Sequence, residues 1–174
     1  MGAPQIVTTT SGHVTGRWGS FWDITASQGV PSAGGTIAVA IGQSDPANSG
    51  VSITSGDRVT FASAGVYSVT FSVQFKNTSA TMYDAQLWLR KNGTTSADDV
   101  PDSNSRFSVT GKHGSTDGHV LGTVNFVMSM SASDYISLMF SAENVAVTIE
   151  TLAATTGTPT VPRTPGVILT AVQV

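Results

Sequence analysis

Over residues 66–75 the chain reads VYSVTFSVQF, and its side chains alternate without a break. Tyr67, Val69, Phe71, Val73 and Phe75 fall on one side, while Ser68, Thr70, Ser72 and Gln74 fall on the other. A period of two sends successive side chains to opposite faces of a pleated strand, so this segment predicts a strand with one buried face. YDAQLWLRK (83–91) repeats the pattern, setting Tyr83, Ala85, Leu87 and Leu89 against Asp84, Gln86, Trp88 and Arg90. Asn92-Gly93 follows, a pair that tolerates the positive φ of a tight turn. Between 119 and 130, Val120, Val124, Phe126, Met128 and Met130 alternate with Leu121, Thr123, Asn125, Val127 and Ser129. A Ser133-Asp134 turn leads into YISLMF, where Ile136, Leu138 and Phe140 share a face. Val145, Val147 and Ile149 mark another strand, GTPTVPRTPG a loop with three prolines, and VILTAVQV a last strand. Shorter strands are predicted at 18–24, 36–41, 50–54, 57–62 and 106–110. No window carries a helical period, and no unit repeats at the spacing of a solenoid or propeller. About ten short strands divided by turn clusters predict an all-β antiparallel sandwich or closed barrel.

Composition agrees with the periodicity and narrows the function. Only 11% of the 174 residues are Asp, Glu, Lys or Arg, against roughly 25% in an ordinary soluble domain. Mean hydropathy is only +0.11, so the missing charge is replaced mainly by 24 Thr, 22 Ser, 18 Gly and 20 Val. Two Glu, three Lys and six Leu leave few of the unbranched residues that favour helices. The length predicts one domain with a core of its own. Residues 1–17 are polar, Thr-rich and without a period, and read as an arm ahead of a domain at 18–174. The absence of Cys excludes disulfides, thiolate zinc sites and a cysteine nucleophile. Net charge is −3 with eight scattered basic residues, which predicts no nucleic-acid partner. The expectation is likewise of no membrane partner, since no apolar run reaches the length of a spanning helix. No signal peptide is visible, and Ile6 stands where a Met1-Gly2 lipidation motif requires Ser or Thr.

Candidate chemistry is sparse. His113 and His119 with Asp117 make at most a loop-borne trio, short of a zinc set, and His13 lies in the arm. DDVPDSN (98–104) gathers hard oxygen ligands suited to calcium, but Pro101 interrupts it and the glycine-centred spacing of a calcium loop is missing. There is no Gly-x-Ser-x-Gly elbow, and Asp84, Asp134 and Glu150 are the carboxylates left to pair for glycoside chemistry. The expectation is a protein that is not an enzyme and holds no cofactor or metal. Asn77-Thr78-Ser79 and Asn92-Gly93-Thr94 match the glycosylation sequon and are read as turns. The aromatic residues say more. Trp88, on the polar side of its strand, either covers a sheet edge or loop or makes a subunit contact. Trp18, Phe21 and Trp22 beside the arm suit docking onto another protein.

The order RVTFASAGVYSVTFSVQF, DAQLWLRKNG, HVLGTVNFVMSMSASDYISLMF and GVILTAVQV resembles the tumour necrosis factor and complement globular-head superfamily over about residues 57–174. Phe61 through Gly65 and Tyr67 match its central-strand motif, and Lys91-Asn92-Gly93 matches its turn. Ser133-Asp134-Tyr135-Ile136-Ser137-Leu138 matches its Gly-Asp turn, with Ser in place of Gly. GSFWD, LWLRKNG, PDSNSR, NFVMSMSASDY and GVILTAVQV extend the likeness, over about residues 19–174, to bacteriophage head-fibre, capsid-decoration and tail-fibre domains. The resemblance implies a ten-stranded jelly roll assembling as a homotrimer, with Tyr67, Phe71, Phe140 and Leu169 toward the threefold axis. The expectations that follow are a virion protein assembled in the host cytoplasm, decorating or cementing the head. Its partners would be itself and the major capsid protein or another virion protein, with Trp18, Phe21 and Trp22 as docking residues. The alternative is a receptor-binding or adhesion module of a tail or head fibre, using loops 92–106 and 111–118.

Overall fold

The computed structural model describes residues 16–25 and 27–174, so most of the proposed arm and His13 lie outside the described residues. Thirteen strands and one 3-10 turn, Ser96–Asp98, make up the regular structure described. One sheet, here called A, is built on β7 (Gly65–Asn77). Along one edge of β7 runs β10 (Gly118–Met130), paired over all thirteen residues. Along the other lie β13 (Val167–Gln173) and β12 (Val147–Ile149), end to end. Beyond them come β1 (Trp18–Asp23), β2 (Gln28–Gly29) and β4 (Gln43–Ser44). Sheet B centres on β11 (Tyr135–Ala142), flanked by β8 (Tyr83–Lys91) and β9 (Ser105–Val109) on one side. On its other side are β3 (Thr36–Ala38), β6 (Arg58–Phe61) and β5 (Val51–Thr54). All these pairings are antiparallel, and the protein is an all-β sandwich of two sheets.

The strong periodic segments became strands with the predicted faces. Tyr67, Val69, Phe71, Val73 and Phe75 are all fully buried. Phe75 meets Phe140 of β11 and Phe107 of β9 at ring-centroid distances of 5.8 and 5.6 Å, which joins the two sheets. The two-residue strands β2 and β4 fall outside the predicted strands; two residues are too few to display a period. The proline-rich loop is also more ordered than its composition suggests. Bridges Leu152–Thr164 and Thr155–Val161 zip it into an exposed finger.

The motif from Phe61 to Tyr67 has a mechanical basis. The Tyr67 ring packs edge-on against Phe61 at 4.6 Å, and its hydroxyl donates to the Ser63 carbonyl at 3.0 Å. A buried phenol needs such an acceptor, and the bond clamps the connection between β6 and β7. The two turns of the resemblance meet in space. Asn92 Nδ2 donates to Asp134 Oδ1 at 2.7 Å, and Asn92 Oδ1 accepts from the Tyr135 amide at 2.8 Å. Asp134 Oδ2 accepts from the Ser131 amide at 2.7 Å and pairs with Lys91 Nζ at 2.9 Å. In Asn92-Gly93 it is Asn92 that takes the positive φ, at 56°, while Gly93 leaves room for the Asp98 carboxylate.

Ser133 holds φ at 70° and Asn92 at 56°, a region that costs a non-glycine residue about 1–2 kcal/mol. Ser133→Gly is expected to stabilise the fold by about 0.5–1 kcal/mol, the relief being partly offset by glycine's larger entropy loss. Asn92→Gly, at a similar φ, is expected to destabilise by about 1–2 kcal/mol because two cross-turn hydrogen bonds go with the side chain. Urea midpoints of the two variants check the opposite signs.

Candidate functional site

Two surfaces stand out, one on each sheet. The outward positions of sheet A follow from the alternation that fills the core. Across β1, β13, β7 and β10 they include Trp22, Ile168, Ser72 and Thr123 in one row, then Ser20, Thr170, Thr70 and Asn125 in the next. Val172, Ser68 and Val127 form a third. Lys76 is the one formally charged residue among the outward positions of these four strands, and it sits at the end of β7. Five of the polar side chains of this face bond one another. Asn125 Nδ2 donates to Ser68 Oγ at 2.9 Å and Thr70 Oγ1 at 2.7 Å, and Ser72 Oγ lies 3.1 Å from Thr123 Oγ1. Between them stand exposed Leu121, Val127, Ile168 and Val172. The outer edge of β10 is unpaired among the described strands, and its inward residues Val120, Val124, Phe126 and Met128 are only partly buried.

Trp18 and Trp22 belong to this face, whereas Phe21 is fully buried in the core. Gly19 is required there, because a Cβ would strike the Phe21 ring. Of the three proposed docking aromatics, only the tryptophans therefore present surface. Tyr67, Phe71, Phe140 and Leu169 are at most 1% exposed. Their own chain encloses them, so none offers a surface to a threefold axis; on β7 and β13 that surface is the intervening Ser68, Thr70, Ser72, Ile168 and Thr170. Trp88 lies on the other sheet, facing outward from β8 opposite Met139 of β11. The structure thus gathers Tyr67, Phe71, Phe140 and Leu169 in one core and sets Trp88 apart from them on the outside of sheet B.

Around Trp88 sheet B is indented. A cleft of about 480 Å3 is bordered by Asp57, Arg58, Trp88, Arg90, Asp99 and Met139 among others. A second, of about 300 Å3, shares Trp88 and Asp99 and adds Gln86, Asp102 and Asn104. Arg90 Nε donates to Asp99 Oδ1 at 2.7 Å and its Nη1 to the Thr94 carbonyl at 3.0 Å. The Arg58 guanidinium lies 4.6 Å from the centre of the Tyr135 ring, a cation–π distance.

The remaining polar candidates do not converge. Asp98, Asp99 and Asp102 diverge: Asp98 closes the 3-10 turn through Thr95, Asp99 pairs with Arg90, and Asp102 takes φ 60° in an exposed turn. Thr95 N–H and hydroxyl hold the Asp98 carboxyl below its ordinary range, the backbone bond contributing most. Glu150 pairs with Lys76 Nζ at 2.6 Å and His119 Nε2 at 2.9 Å, while Asp84 pairs with Arg106 at 3.4 Å. The carboxylates considered for glycoside chemistry are thus each paired with a different cation. Asn77 is fully buried, its amide donating to the Thr81 and Val109 carbonyls, so its sequon is closed in the folded chain. Asp23, also buried, accepts from the amides of Thr25 and Gly42, the Thr25 hydroxyl and Gln28 Nε2. No group of three or more His, Cys, Asp or Glu suited to a metal occurs among the described residues. Nor is any described helix long and apolar enough to cross a membrane. A scan of protein-family models finds no match, and no curated protein matches the chain.

Asp134 gives a pH signature. The Lys91 ammonium, then the Ser131 amide and the Asn92 side chain, lower its pKa from 3.8 to about 2. A depressed carboxyl stabilises the fold above its unfolded value and loses that contribution as pH falls through its folded value. The clasp is therefore expected to lose its contribution between pH 3.8 and about 2. Asp134→Asn should lower stability at neutral pH and flatten the acid limb of the unfolding profile. Carboxyl NMR titration of the parent, with a midpoint near the lower value, checks the assignment.

Proposed function

We propose that the chain is a homotrimeric structural module of a bacteriophage virion, a decoration or cement protein on the head, with its strands in a jelly-roll plan. The observation that carries self-association is the outward face of sheet A. It is nearly free of charge, Ser68, Thr70, Ser72, Thr123 and Asn125 are already hydrogen-bonded laterally, and it exposes Ile168, Val172, Leu121 and Val127. Buried charges are what make association most costly, and this face carries few of them. A long unpaired edge strand is also a surface that folded proteins normally cover. The partly buried apolar row of β10 provides such an edge beside the face. Face and edge are unlike surfaces, so the edge of one copy on the face of the next is a head-to-tail contact, which a threefold rotation closes into a ring. The placement in a virion rests on the ordered motif resemblance, and Trp18 and Trp22 are the surface aromatics available to a capsid partner.

Sedimentation of the full chain is expected to give the mass of three 17.9 kDa subunits. Ile168 and Val127 are already 44% and 64% exposed, so Ile168→Glu and Val127→Glu should each cost the isolated fold about 0.5 kcal/mol or less. Both should dissociate the trimer, because a buried unpaired carboxylate is expensive. A monomeric parent overturns the assembly. Particles lacking the protein should lose head stability and still adsorb to cells; the reverse result favours the fibre-module reading.

A further inference from the structure

We infer that the outer face of sheet B carries a binding site for a neutral saccharide, centred on Trp88. The site goes beyond the assembly role and lies within one chain, on the sheet opposite the self-association face, so either reading can fail without the other.

Two adjoining clefts of about 480 and 300 Å3 flank the same indole, and small-ligand sites run to roughly 300–1,000 Å3. The register sets the floor. Ala38, Met139 and Trp88 occupy one cross-strand row, and Arg58, Ser137 and Arg90 the next. An apolar row beside a row of donors suits a pyranose ring, whose C–H face packs on an indole while its hydroxyls project sideways. Ser137 and Met139 are 3% and 4% exposed, so the floor is set back into the sheet rather than flush with it.

The polar groups are preorganised. Arg90 is fixed by Asp99 and the Thr94 carbonyl. Arg58 is held over Tyr135, Ser137 Oγ donates to Asp57 Oδ2 at 3.3 Å, and Asn104 Nδ2 donates to Gln86 Oε1 at 2.8 Å. These bonds leave a carboxylate oxygen on Asp99 and guanidinium N–H groups on Arg90 for ligand hydroxyls, which donate and accept at once. Charge selects the class. Asp57, Asp99 and Asp102 outnumber Arg58 and Arg90 around the paired clefts, which disfavours phosphorylated, sulfated or sialylated ligands and leaves a neutral sugar matched. The indole Nε1–H of Trp88 is itself buried with no acceptor among the described residues, so what Trp88 offers the clefts it lines is its ring and not its N–H.

Ligand-observed NMR on the full chain is the test. The probes are glucose, galactose, mannose and N-acetylglucosamine tetrasaccharides, with sialyllactose and a heparin tetrasaccharide as anionic controls. At least one neutral probe should bind, receiving saturation from indole protons, and the anionic probes should bind at least tenfold more weakly. Trp88→Ala and Asp99→Asn should each weaken that binding tenfold or more with the melting profile retained, while Trp22→Ala on the other sheet leaves it unchanged. Should Trp88→Ala not fold, Asp102→Asn, in an exposed turn, should still weaken binding severalfold. Failure of every neutral probe, binding of the anionic probes alone, or undiminished affinity in a folded Trp88→Ala or in both Asp99→Asn and Asp102→Asn overturns the assignment.

Discussion

Everything in this fold hangs on the pairing of β7. The strand is thirteen residues long and shares one edge with all of β10 and the other with β13 and β12. Its five large apolar side chains are sealed between the sheets. A slip of one residue would send Tyr67, Val69, Phe71, Val73 and Phe75 to the outside and bring Ser68, Thr70, Ser72 and Gln74 in. The register is therefore set by burial, and the candidate surface of sheet A inherits its geometry from it. The Tyr67–Ser63 bond and the clasp of Lys91, Asn92 and Asp134 fix where the neighbouring strands enter.

The scarcity of charge takes on a meaning that differs between the two sheets. On sheet A, Ser, Thr and Asn hydrogen-bond across the strands and leave a face that loses little on being covered. On sheet B the few charged residues are concentrated, and Arg58, Arg90, Asp57 and Asp99 meet around one tryptophan. A smooth face and an indented one thus lie on opposite sides of a single core.

Long, strongly alternating segments were fully legible. β8 spans the nine residues that the pattern marks, and the inward set on β10 is the one that alternation selects. The pieces that escaped were β2 and β4, too short to show a period. The residues that the resemblance places toward an axis, and Phe21, lie in the core. Large apolar side chains are the ones a core buries first, so Tyr67, Phe71, Phe140, Leu169 and Phe21 are enclosed, and the exposed face belongs to their smaller neighbours. Trp88 was recognisable as unusual from its place between Gln86 and Arg90, but its partners come from β6, β11 and the 93–104 segment, far apart in the chain.

The sequence by itself determined the strands, their two faces and the poverty of charge, because a period of two and side-chain composition are local properties. It also marked the turns, since Asn92 and Ser133-Asp134 interrupt the alternation where the backbone must reverse. Only the tertiary structure decided which faces are closed and which are open, which strand is left as an edge, and that Trp88 sits amid two arginines and three aspartates. Those features depend on sheet order and register between segments remote in sequence. Such pairings are chosen by how all the buried faces fit at once, which no single segment encodes.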